Sequence, residues 1–79
     1  MKRFFIRPRY EQDINILAVL RRKKGLTQEQ LAEQANVVPA TIVGYEQGHR
    51  PTSRNAARLA AALGVEWDEL WVMEVAGAS

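Results

Sequence analysis

Four helix stops divide this chain into pieces that suit short helices and little else. Gly25, Asn36, Gly48 and Gly64 are residues that enter the left-handed conformation at low cost, and they follow apolar residues spaced for a helix. The stretches between them are 10, 11 and 15 residues long. Helices of that length are marginal alone and hold only by packing their apolar stripes against one another. The spacing predicts a first helix from Glu11 to Lys24, with Ile14, Leu17, Ala18 and Leu20 on one face and Arg21 to Lys24 in its last turn, beside the negative end of its dipole. Thr27 and Gln30 form a capping box for a second helix, Gln28–Gln34, which buries Leu31 and Ala32. Pro39 opens a third, ending at Gln47, with Ile42 and Tyr45 turned to the core. Thr52 or Ser53 caps a fourth, Ser53–Leu63, striped by Ala56, Leu59, Ala60 and Leu63. A fifth, Glu66–Glu74, carries acidic residues at its positive end and Leu70 as its anchor, and residues 76–79 fray. Apart from a short extended piece at Arg3–Arg7, nothing alternates with period two.

Composition narrows what such a bundle can do. At 79 residues there is room for one domain. Cysteine is absent and there is a single histidine, so disulfides, thiolate chemistry and an imidazole-built metal site drop out. No nucleophile–base pair, Gly-rich phosphate loop or carboxylate pair appears, so no enzyme and no cofactor are expected. Apolar runs fall far short of a membrane span, and the basic start lacks the long apolar region of a signal peptide, so the expected location is cytoplasmic. The formal charge of +2 hides a polarity. Residues 1–25 hold eight basic groups against Glu11 and Asp13, a net of +6, while residues 26–50 and 51–79 each come to −2. A basic end suits a polyanion partner, or is a solvated cluster at a helix end.

The second and third helices, joined by a tight turn, make a helix-turn-helix pair. Leu26-Thr27-Gln28-Glu29-Gln30-Leu31-Ala32-Glu33, then Val37, Ala40-Thr41-Ile42, Tyr45-Glu46-Gln47-Gly48 and Pro51 resemble the Cro/cI repressor family, also called the xenobiotic-response-element family. Arg21 ahead of this run, and Leu63-Gly64-Val65 with Asp68-Glu69-Leu70 behind it, match as well. The resemblance spans residues 13–71 and implies an all-α, five-helix lambda-repressor-like DNA-binding domain at residues 11–75. It also implies a bacterial or phage-like setting and double-stranded DNA as the partner, with no small-molecule ligand. It pairs Arg21 with Glu46 as a partly buried ion pair that sets helix orientation. It assigns base readout to Pro39, Ala40, Thr41, Val43 and Gly44, and phosphate contacts to Gln28, Gln47, His49, Arg50 and Arg54.

The chain departs from the family at its reading face. Members often carry Gln, Arg, Ser or Asn there, whereas this chain offers one hydroxyl, so bidentate contacts to guanine or adenine are missing. Apolar contact with thymine methyls and one hydrogen bond from Thr41 remain. Gly44 costs a helix interior about 1 kcal/mol relative to Ala; either a neighbouring backbone approaches there, or the site is exposed and neutral. Val38 stands where a Ser or Thr cap is usual.

Two apolar features lie outside this motif. Phe4, Phe5 and Ile6 sit among Lys2, Arg3, Arg7 and Arg9 in residues 1–10, an arm with three readings: a minor-groove arm, a strand pairing with its copy in a dimer, or a flap over Ile16 and Val19. Trp71, Val72, Met73 and Val75 on the fifth helix exceed what the core needs and predict a homodimer interface. A sequence-specific regulator, probing a palindromic operator as a homodimer and acting as a repressor, is the leading expectation. An antitoxin-like or adaptor module built on the same fold is the alternative.

Overall fold

The computed structural model, which describes residues 3–76, places β1 at Arg3–Pro8, β2 at Tyr10–Glu11 and β3 at Ile14–Asn15. Five helices follow: α1 (Ile16–Lys23), α2 (Gln28–Ala35), α3 (Pro39–Glu46), α4 (Ser53–Leu63) and α5 (Trp67–Leu70). Strand β4 (Trp71–Ala76) ends the described chain. The helix stops act as expected. Asn36 ends α2 at φ 58° and ψ 47°, and Gly64 ends α4 at φ 68°. Thr27 and Gln30 form both halves of the capping box, Thr52 accepts from the Asn55 N–H, and Val38 leaves α3 without a side-chain cap.

The five helices close on one core. Leu17, Leu31, Ile42, Leu59, Leu70 and Trp71 are sealed from solvent, with Ala32, Ala56 and Ala60 allowing the helices to approach closely. Each large side chain buried this way contributes about 1.5–3 kcal/mol.

The fold is not purely all-α, and three expectations change with it. First, the fifth helix is a single turn. Trp71–Ala76 leaves it as a strand and pairs antiparallel with β1, from Pro8 opposite Trp71 to Arg3 opposite Ala76. Aromatic and β-branched residues at 71, 72 and 75 suit that pleated ladder better than a helix surface. Second, the basic segment is no arm. Ile6 and Pro8 are buried, and its partner strand belongs to its own chain. It is therefore no free arm for a groove: one edge of it pairs with β4, its Arg9 carbonyl accepts from the Ile16 N–H, and Val19 stays exposed while Ile16 is half-buried. Third, α1 begins at Ile16 rather than Glu11, because residues 10–15 form a small hairpin. Its two-residue turn, Gln12 and Asp13, has φ of 50° and 65°, the signs of a type I′ turn. The expected fraying at Ala76 gives way to the end of β4, while residues 77–79 lie outside the described residues.

Candidate nucleic-acid interface

Helix α3 owes its position to a buried charge. Arg21 Nε donates to Glu46 Oε2 at 2.6 Å, and Arg21 Nη2 reaches Oε1 at 3.3 Å. Arg21 Nη1 donates to the Leu26 carbonyl at 2.7 Å. Gln28 Nε2 completes Oε1 at 3.0 Å. The two charged side chains are 10% and 9% exposed. One guanidinium thus joins the end of α1, the loop before α2 and the end of α3, in the fork geometry only arginine offers.

This arrangement redirects Gln28. Its amide N–H is spent on the buried carboxylate, which needs the donor more than a solvated phosphate would. What Gln28 leaves for a phosphate is the second N–H of that amide and its backbone N–H at the start of α2.

A second brace comes from Asn15, just ahead of α1. Asn15 Oδ1 accepts from the Ala18 N–H as N-cap of α1, while its Nδ2 donates to the Tyr45 carbonyl at 3.0 Å. The side chain is buried, so both ends of one amide link the start of α1 to the end of α3. Asn15 immediately before the apolar run Ile16–Leu20 was the available signal. Tyr10, from the same hairpin, lies against Gly48: its hydroxyl is 3.0 Å from where a Cβ would stand, and Gly48 has φ +104°. The backbone angle is what calls for glycine there, since the tip of the exposed Tyr10 side chain can give way.

Braced in this way, α3 buries Ile42 and Tyr45 and turns its other side outward. Pro39 and Ala40 are exposed; Thr41, Val43 and Gly44 are half-exposed. Ala40, Gly44 and Gln47, at spacings of four and three, follow one line along that outer face. Gln47, His49, Arg50 and Arg54 are exposed at its C-terminal rim and on the start of α4. The room above Gly44 is filled from within the chain: a Cβ there would lie 2.9 Å from His49 Nδ1. The Arg50 guanidinium lies 3.7 Å above the Phe5 ring, so the β1–β4 ribbon holds it.

The residues expected at a dimer interface do not stay together. Trp71 is 1% exposed; its Nε1 donates to the Ala56 carbonyl at 2.9 Å and its ring meets Tyr45 edge-on at 5.8 Å. It belongs to the core, because the turn from α5 into β4 points its ring inward. Val72 is half-buried. Met73 and Val75 are 52% and 46% exposed, and Phe4, opposite Val75 in the ladder, is 67% exposed. Arg7 and Glu74 form an ion pair on the same ribbon, a surface pair of small energetic weight.

Among the described residues no helix is long and apolar enough to cross a membrane. Comparison with known proteins agrees with the paired helices. The family pattern described as Helix-turn-helix matches residues 17–70. An uncharacterized HTH-type transcriptional regulator of Methanothermobacter thermautotrophicus is 40% identical over 60 residues, which cover 73% of this chain and 87% of that protein. Residues 17–70 run from the first turn of α1 to the end of α5, so the match takes in the helix pair and the arginine that locks it, and this chain belongs to the helix-turn-helix family, among its Cro/cI-type members.

Proposed function

We propose that this chain is a DNA-binding transcriptional regulator that acts as a homodimer on a palindromic operator and represses by occupying it. The observation that carries this reading is α3 itself, locked from behind by Arg21 on its own Glu46 and by Asn15, with its outer face turned to solvent. A helix braced from behind at its C-terminal turn and exposed on its outer face is suited to the major groove. Ala40, Thr41 and Val43 offer methyl groups to thymine, and Thr41 adds a hydroxyl. Pro39 starts the helix where the groove is entered. Gln47, Arg50 and Arg54, with the α2 backbone N–H groups, hold the flanking phosphates.

Selection of bound sequences from a random duplex pool tests this, together with affinity at two salt concentrations. The expected site has two-fold symmetry. With about four phosphates neutralised per dimer, affinity should fall about a hundredfold between 50 and 200 mM salt. Arg50→Ala should weaken all sequences alike and flatten the salt slope by about two per dimer. Absence of binding to any duplex at low salt would favour the antitoxin-like or adaptor module, which the exposed Val38, Phe4 and Met73 would serve.

The dimer surface is read from the ribbon. Phe4, Met73 and Val75 lie side by side on one face of the β1–β4 ladder and stand clear of the core. A two-fold axis there would bury them against their own copies and carry two reading helices to one duplex. Met73→Glu, at an exposed position, is expected to keep the fold and halve the sedimentation mass. An unchanged mass at the same concentration would remove this surface as the interface.

A further inference from the structure

The middle of the reading face, Ala40 and Gly44, carries no hydrogen-bonding side chain, yet the place above Gly44 is occupied. Gly48, at φ +104°, turns the chain back directly after α3. The His49 backbone N–H then donates to the Gly44 carbonyl at 2.9 Å, returning the next residue to the last turn of the helix. Its imidazole lies against the glycine. A Cβ at position 44 would be 2.9 Å from Nδ1, 3.5 Å from Cγ and 3.7 Å from Cβ of His49. An alanine at 44 and the ring in this place exclude each other.

Gly44 differs in this respect from Gly48. Its φ is that of an ordinary helical residue, so its backbone conformation makes no demand for glycine. Glycine costs a helix interior stability relative to alanine and gives nothing in return unless something occupies the space. Here the occupant is His49, and the side chain is exposed to solvent.

We propose that His49 is a base-reading residue. Gly44 is the seat for its imidazole, which supplies the hydrogen-bonding group that the side chains of α3 lack, and the base it reads is guanine. The inference rests on α3 entering the major groove as proposed above. A ring lying on Gly44 occupies the level that a side chain from position 44 would, on the line from Ala40 to Gln47, rather than a place beyond the helix end where a phosphate contact belongs. An imidazole N–H facing a purine finds two acceptors on guanine, N7 and O6. On adenine it finds N7 beside an N6 amino group that is itself a donor. Thr41, three residues before Gly44 on the same helix, is then left to read the neighbouring step.

The test is sequence selection with the full chain and its His49→Ala, Gly44→Ala and doubly substituted forms, with thermal midpoints and salt slopes measured alongside. His49→Ala should abolish a guanine preference at one base pair in each half-site, with about a tenfold loss of discrimination there. Its salt slope and its affinity for unrelated duplex should stay at the parent values. Gly44→Ala should evict the ring and erase the same preference, while its thermal midpoint holds or rises because alanine is the better helix former. The double variant should lose no more than either single one. A uniform weakening of all sequences by His49→Ala, with a lower salt slope, would make His49 a phosphate contact and overturn the proposal. An unchanged selected site would overturn it as well. If the parent chain selects no site at all, the DNA reading itself falls and takes this inference with it.

Discussion

Arg21→Ala is expected to cost about 3–5 kcal/mol of folding free energy. The loss comes less from the bonds removed than from the charge left behind. With the guanidinium gone, the Glu46 carboxylate keeps only the Gln28 amide as a side-chain partner, in a site that is nine-tenths closed to water. The Leu26 carbonyl loses its donor at the same time. Small domains have a net stability on the order of 5–15 kcal/mol, so a 79-residue chain near the lower end would keep only about 0–2 kcal/mol of it. Glu46→Ala should do comparable harm by stranding the arginine. Replacing both, Arg21→Met with Glu46→Leu, should restore most of the loss, since apolar side chains of similar volume need no partner. Urea unfolding of the parent, Arg21→Met, Glu46→Leu and the double variant closes the cycle. If the two single losses simply add in the double variant, Arg21 and Glu46 are not coupled, and the pair does not hold α3 in place.

The parts of the molecule legible in its sequence are those set by neighbours a few residues apart. The capping box of Thr27 and Gln30, the left-handed turn at Asn36 and the stripe Ala56, Leu59, Ala60 and Leu63 are each decided within one or two helical turns. Arg21 and Glu46 are 25 residues apart, and their pairing came from resemblance to a family rather than from spacing. Strand β4 is not legible in the sequence because Leu70-Trp71-Val72-Met73 is a short apolar run, which periodicity alone does not assign to helix or strand. What makes it a strand is β1, some 67 residues earlier in the chain. The hairpin ahead of α1 escaped for a different reason: Gln12 and Asp13 take positive φ without the Asn-Gly or Asp-Gly signature of such turns. The seat of His49 on Gly44 was equally hidden. A glycine inside a helix raises the question, and only the backward turn at Gly48 answers it.

Trp71→Ala should rival Arg21→Ala in size, at about 3–5 kcal/mol, but for an apolar reason and with a different signature. Trp71 is the residue at which the helical body becomes the ribbon. Its ring packs edge-on against Tyr45 of α3, its Nε1 donates to the carbonyl of Ala56 on α4, and its backbone starts β4 opposite Pro8. Truncation opens a cavity among fully buried neighbours and also detaches the strand pair, because Ile6 and Pro8 are buried on the same side. Trp71→Phe separates the two effects. It keeps an aromatic ring against Tyr45 and removes the indole donor, while the Ala56 carbonyl retains its partner within the helix. Its cost should be about 1–2 kcal/mol, and the fold should survive. Amide hydrogen exchange then locates the damage: protons of β1 and β4 should exchange faster in Trp71→Phe, while those of α2 and α3 keep nearly parent protection. A loss spread evenly over ribbon and helices would mean that the domain opens as one unit and that Trp71 is no joint between two parts. A loss below 1 kcal/mol for Trp71→Ala would contradict its burial.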